Sequence, residues 1–315
     1  MRQVPEKRAV TIVAGTFSYL HAGHRELLNK ALSTGRPVIV GLTSDDYAMK
    51  TKSYSPPSFE SRKKALESYL KTKASDFTIV ALNNVQGDST NNPYYENIAV
   101  SRETLSSAMN INMKRVKTGL KPMNILIADS VIARDYMIIS SSRIARGEID
   151  TEGNRISPMQ ISLTMGQSLN YSVLRRSLGH LFASVPLRIT KCQTAGIFEN
   201  EYDVRRNAMG NIGSRDYSIL IREKIMDGSE FKMPSVAIEA GVLDRNGYFT
   251  IGHSSSLPLN DEQYKRIQRS QTISPAIDWK KGYPLGKLIS QSLSSAMYPR
   301  LYPWEFNMMG FHSTL

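Results

Sequence analysis

Two histidines, His21 and His24, flank Gly23 near the start of the chain. A pair of imidazoles aimed at one point can stabilise charge developing on a phosphorus during group transfer. The glycine between them removes side-chain bulk, so an extended phosphate chain can approach the backbone. Gly15, Thr16 and Phe17 precede the pair, and a later run, Ser140-Ser141-Ser142-Arg143, adds three hydroxyls and a guanidinium. Successive hydroxyls at a helix start can each donate to phosphate oxygens, although capping the helix is the commonest role of a serine there. Together these residues point to a bound nucleotide.

Such residues act only if the fold brings them together. The apolar run 10–14 predicts a strand, and the apolar spacing over 25–32 predicts a helix ending near Gly35, a natural C-cap. Strand, glycine turn and helix then place both histidines at a helix N-terminus, where the dipole favours a phosphate. Through residue 82 the pattern is strand, helix, strand, helix, strand. Residues 83–97, rich in Asn, Gly, Ser and Pro, read as a long surface loop of the kind that serves as a lid. A helix over 101–114 and a strand over 124–128 follow. This alternation predicts an α/β fold with a Rossmann-like, doubly wound parallel sheet and ligands at the carboxyl ends of its strands.

The polar stretch 150–155 reads as a linker, dividing the chain into domains 1–156 and 157–315. Beyond it the pattern predicts a strand over 160–166 and a helix over 171–183. Two apolar runs, 234–243 and 248–258, flank Asn246-Gly247, the signal of a two-residue hairpin. Within the first of them Glu239 stands out, because burying a lone carboxylate is costly. It is either paired or holds a metal.

The chain has 315 residues and a formal net charge of +12. Its aromatics do not interleave with basic runs as in a stacking platform, so the excess fits small phosphorylated substrates better than nucleic acid. A single cysteine, Cys192, excludes an intrachain disulfide framework and a cysteine-based zinc cluster. No apolar run has membrane length and the N-terminus lacks a secretory signal, so a soluble, cytoplasmic protein is expected, with a homo-oligomer compatible.

From Gly15 to His24 the chain resembles the His-x-Gly-His nucleotidylyltransferases, and among them the archaeal and eukaryotic type of phosphopantetheine adenylyltransferase. That family has Gly-Thr-Phe-Asp followed by Leu-His-x-Gly-His, and here Ser18 replaces the aspartate. Further segments are similar in order: the strand and turn 40–45, the helix opening Phe59-Glu60-Ser61-Arg62, the strand end 98–104 and the serine motif within 139–150. Asn84 stands where an aspartate is expected, and Ala145 where a basic residue is expected. The resemblance implies transfer of the adenylyl group of ATP to 4'-phosphopantetheine, giving dephospho-CoA and pyrophosphate with magnesium (Mg2+). It assigns catalysis to His21 and His24. Gly15, Thr16, Phe17, Ser140, Ser141, Ser142 and Arg143 would bind the nucleotide, and Lys50, Lys52 and Arg62 the acceptor.

The second half resembles the inosine/xanthosine triphosphatases through Glu239-Ala240-Gly241 and Gly252-His253-Ser254. This implies an α/β domain with a mixed sheet, and magnesium-dependent hydrolysis of inosine or xanthosine triphosphate. The family's opening motif is represented by 166–172, without its lysine, and Pro284 replaces a glutamate. A degenerate hydrolase is therefore expected, with Glu239 as its surviving candidate. Rival readings are an active bifunctional enzyme, another nucleotidylyltransferase, or a nucleotide-binding scaffold.

Overall fold

A computed structural model of the chain describes residues 9–74, 76–84, 86–166, 169–195, 200–226, 233–254, 257–270 and 285–301. They form two compact units. One holds the described residues up to Ala133 together with Met137–Ile156, and the other holds Arg134–Tyr136 and the described residues from Ser157 onward.

In the first unit the apolar runs become β1 (Val10–Gly15), β2 (Val38–Thr43), β3 (Phe77–Leu82), β4 (Tyr95–Val100) and β5 (Asn124–Ile127). All pair in parallel, in the order β3-β2-β1-β4-β5. Parallel neighbours require crossovers. Helices α1 (Ala22–Leu32), α2 (Asp45–Thr51), α3 (Phe59–Leu70) and α4 (Leu105–Lys117) lie between the strands in sequence, and the short α5 (Ser141–Ala145) follows β5. Because side chains alternate across a strand, Val38, Val40 and Leu42 pack with Leu27, Leu28, Leu66 and Leu70 of α1 and α3. Ile98 and Val100 instead join Ala108 and Ile111 of α4. The strand order reverses between β1 and β4, so the turn after β1 opens at the switch point, where ligands bind in such sheets.

Two expectations for this unit are corrected. Residues 95–97 belong to β4, because the polar Asn97 is satisfied inside the sheet: it donates to Thr11 Oγ1 and accepts from Asn124. What remains of the loop is pinned rather than lid-like. The buried guanidinium of Arg115 donates to the carbonyls of Ser89, Asn92 and Lys121, and the Tyr95 hydroxyl donates to Asp88. Likewise 150–155 is a fixed turn, not a free linker. Asp150 accepts from the N–H groups of Glu152 and Asn154, Gly153 is left-handed (φ 82°), and the Thr151 carbonyl accepts from Ala22 at the start of α1.

The second unit contains β6 (Met159–Gly166), β7 (Leu187–Ala195), β8 (Tyr217–Met226), β9 (Ser235–Asp244), β10 (Phe249–His253) and β11 (Leu257–Pro258). Its sheet runs β10-β9-β8-β6-β7, with β11 beside β9. It is mixed: β6 is parallel to β7 and β8, whereas β8, β9 and β10 are antiparallel. Helices α6 (Tyr171–Leu181), α7 (Glu201–Ile212), α8 (Asp261–Ser270) and α9 (Leu285–Leu301) complete it. The β9–β10 hairpin has a three-residue loop rather than two, since Asp244 pairs with Tyr248 and Gly247 is left-handed at φ 86°. Gly252 serves packing, for a Cβ there would collide with the backbone of Ser292 and Ala296 in α9. No helix among the described residues is long and apolar enough to cross a membrane.

Candidate active site

The turn after β1 positions the histidine pair. His21 is the N-cap of α1, and its Nδ1 accepts from the backbone N–H of His24 at 3.3 Å. His24 Nδ1 lies 2.8 Å from the Tyr19 carbonyl. The two rings stack with centroids 3.7 Å apart at 18°. Burial, helped by His24 and Arg25, pushes the His21 pKa down to about 3. Burial also takes His24 down to about 4; the Tyr19 hydrogen bond opposes that shift and Lys52 adds to it. Both imidazoles are therefore neutral at neutral pH. Neither Nε2 atom has a protein partner among the described residues.

The helix N-terminus is less open than its sequence suggests. Ala22 donates to Thr151, His24 to His21, and Arg25 to the His21 carbonyl, which leaves the N–H of Gly23 for a ligand. Phe17 is 1% exposed, and its ring meets His24 edge-on at 5.0 Å. Phe17 is left-handed (φ 47°), a costly conformation for a bulky residue that is typical of sites where the surrounding structure imposes it. Gly15 follows from this fold-back, because a Cβ there would sit 3.0 Å from the Phe17 ring.

Of the three acceptor candidates the structure keeps one beside the pair. Lys52 lines a cavity of about 310 Å³ together with Thr16, Ile39, Val80, Leu82 and Ile111. Lys50 is exposed and is absent from that lining. Arg62 is corrected to a structural role: it is 1% exposed and donates to the carbonyls of Pro57, Thr16 and Thr43 and to Asp45. It fastens the turn after β1 to the turn after β2. Ser18, in the aspartate's place, is buried and accepts from the Tyr54 hydroxyl at 3.0 Å. Nothing in the sequence flags Tyr54, since its partner lies 36 residues away.

At the serine cluster, Ser140 occupies the N-cap position of α5 without a capping bond from its side chain, and its hydroxyl meets that of Ser142 at 3.1 Å. Ser141 and Ser142 are both half-buried. Arg143 turns inward, against expectation, donating to Glu148 and to the carbonyls of Met137 and Ile138. Arg146 binds the same Glu148 from the half-exposed side.

In the second unit Glu239 is wholly buried and paired. Cross-strand register sets Arg222 of β8 and His253 of β10 opposite it. Oε1 lies 2.6 Å from Arg222 Nη2, and Oε2 faces Lys224 at 3.2 Å and His253 at 3.6 Å without an aligned hydrogen bond. Basic neighbours are the reverse of the oxygen shell that a divalent cation requires, so the metal role for Glu239 is corrected. Gln167, Ser168 and Pro284 lie outside the described residues.

Residues 12–147 match the cytidylyltransferase-like family. A bifunctional phosphopantetheine adenylyltransferase/NTP phosphatase from Thermoplasma acidophilum is 32% identical, over 93% of this chain and 97% of its own length. The chain belongs to this bifunctional family. A second member, from Thermoplasma volcanium, is 32% identical over 85% of this chain and 83% of its own. A shorter phosphopantetheine adenylyltransferase from Methanothermobacter thermautotrophicus is 39% identical and covers 50% of this chain and 95% of itself. The shorter relative is thus spanned by about half of this bifunctional-family chain, whereas the Thermoplasma relatives extend over most of it.

Proposed function

We propose that residues 1–156 transfer the adenylyl group of ATP to 4'-phosphopantetheine, giving dephospho-CoA and pyrophosphate. One observation carries this reading: the turn that leads into a neutral, stacked imidazole pair with free Nε2 atoms also lines a cavity through Gly15 and Thr16, together with Lys52 and apolar walls. An acceptor with a phosphate and a long arm of low charge suits that lining. The phosphate of the acceptor attacks the α-phosphorus of ATP and pyrophosphate leaves. His21 donates from Nε2 to the charge that develops, Lys52 holds the acceptor phosphate, and Thr16, the Gly23 N–H and the hydroxyls of Ser141 and Ser142 hold nucleotide phosphates.

The described residues offer no cluster of three carboxylate, imidazole or thiolate donors. This suits Mg2+ arriving on the triphosphate, a cation that keeps several waters and leans on substrate phosphates rather than on a protein cage. Bound there, it neutralises phosphate charge. The test is pyrophosphate release from ATP by the full chain. Release that requires 4'-phosphopantetheine is expected; equal release without it, or none with it, removes the reading.

For residues 157–315 we infer an NTP phosphatase-like domain of weak activity toward inosine or xanthosine triphosphate, because Glu239 is held by Arg222 and Lys224. The full chain carrying His21→Ala isolates this activity. Phosphate or pyrophosphate release below about 1 s⁻¹, under the ordinary enzyme range, is expected. Faster turnover that is lost in Glu239→Ala would establish a working hydrolase.

A further inference from the structure

The two neutral imidazoles are held in opposite tautomers. His21 Nδ1 meets the N–H of His24 and can only accept there, so the ring proton of His21 resides on Nε2. His24 Nδ1 meets the Tyr19 carbonyl, which can only accept, so Nδ1 carries the proton and Nε2 presents a lone pair. Rings stacked at 3.7 Å thus offer one donor and one acceptor to the same neighbourhood. The phosphate chain of ATP at neutral pH consists of acceptor oxygens. His21 can donate to such an oxygen as it stands, whereas the lone pair of His24 would repel one.

We propose that His24 takes up one proton from solvent when ATP binds, and that His21 does not. The resulting imidazolium donates from Nδ1 to the Tyr19 carbonyl and from Nε2 to a phosphate oxygen, and it returns the proton when the site empties. This rests on ATP binding at the turn after β1. Of the charged and titratable groups here, His21 at the N-cap stacks on His24 and Lys52, just beyond α2, acts on it; Arg25, next in α1, acts on His21 and is itself paired with Glu152 from the turn at 150–155. In the free protein burial and Lys52 keep the ring neutral. An anionic phosphate at Nε2 reverses the sign of the local potential, while the Tyr19 carbonyl already favours the cation.

Calorimetry of Mg-ATP binding to the full chain, in buffers of different ionisation enthalpy at about pH 6, counts the protons exchanged, and uptake approaching one is expected, since an opposite charge raises a pKa by about 1–3 units and His24 starts from about 4. Binding with no uptake overturns the proposal and leaves the site assignment standing, whereas absence of binding removes the site assignment itself. His24→Asn should abolish the uptake and His21→Asn should retain it. Nitrogen NMR of the imidazoles in the unaltered free protein provides a readout independent of any variant. It should show His21 protonated on Nε2 and His24 on Nδ1, and a shared tautomer overturns the inference.

Discussion

Both units bury ionisable groups at a focal point of the sheet, and they treat them in opposite ways. In the first, burial leaves two imidazoles neutral and their Nε2 atoms unengaged, while the nearby arginines, Arg25, Arg62 and Arg143, are held by protein acceptors. In the second, a buried carboxylate on β9 faces an arginine and a lysine on β8 and a histidine on β10. The first arrangement keeps hydrogen-bonding capacity for something that arrives. The second turns its carboxylate toward basic side chains of the protein: Oε1 accepts from Arg222, and Oε2 faces Lys224 and His253. A motif that looks equally functional in both halves therefore has different chemistry depending on whether its polar atoms already have partners.

The sharpest way to break this comparison is to disturb the second cluster. Arg222→Met leaves Glu239 buried with only Lys224 and His253, and removing one partner of a buried ion pair costs about 3–5 kcal/mol. Urea unfolding followed by tryptophan fluorescence suits the measurement, since Trp279 and Trp304 both belong to this half of the chain. Adding Glu239→Leu should recover much of the loss, because replacing the whole pair by apolar residues is far cheaper than orphaning one member. No loss with Arg222→Met would mean that Glu239 is not held as described.

Disturbing the first pair should affect turnover instead. His21→Ala or His24→Ala should lower turnover by about 10²-fold or more, or about 2.7 kcal/mol of transition-state stabilisation, with little change in circular dichroism. The same residues impose a pH signature on stability. Their folded pKa values lie below the unfolded value of about 6.5, so the unfolded chain binds more protons and stability falls as pH drops from about 6.5 toward 4 and 3. The urea midpoint should decline between about pH 7 and pH 5, and the double variant His21→Asn/His24→Asn should flatten that decline. An unchanged slope would show that the pair is not neutral and buried.

Much of this was legible in the residues. The first sheet followed from alternating apolar runs, and His21, His24, Gly15 and Thr16 came together because a strand, a glycine turn and a helix are local in sequence. Long-range partners were not legible. An arginine within a family-like motif, such as Arg62 or Arg143, reads as a phosphate ligand until the carbonyls of Thr16, Thr43 or Met137 are seen to occupy it, and any residue type can supply a carbonyl. Polar residues inside β4 misled for the same reason, since Asn97 is satisfied by Thr11 on one neighbouring strand and Asn124 on the other. Glu239 was open to two readings because its partners come from strands whose register the sequence does not state.

The finest test lies within the first site, between two lysines two residues apart. Lys50 falls in the last turn of α2 and Lys52 just beyond it, where the chain has turned extended, and only Lys52 joins Thr16 in the cavity lining. Lys52→Ala should raise KM for 4'-phosphopantetheine by about tenfold, as expected for one charge-assisted contact of about 1.4 kcal/mol, while Lys50→Ala should change it by less than about twofold. Lys52→Ala should also raise the pKa of His24 in the free protein, because its charge opposes the imidazolium there. The two effects separate roles: a purely structural lysine would move neither, and one acting only through its field would move the His24 titration without moving KM. Equal responses from Lys50→Ala and Lys52→Ala would show that general surface charge, rather than position at the cavity, attracts the acceptor.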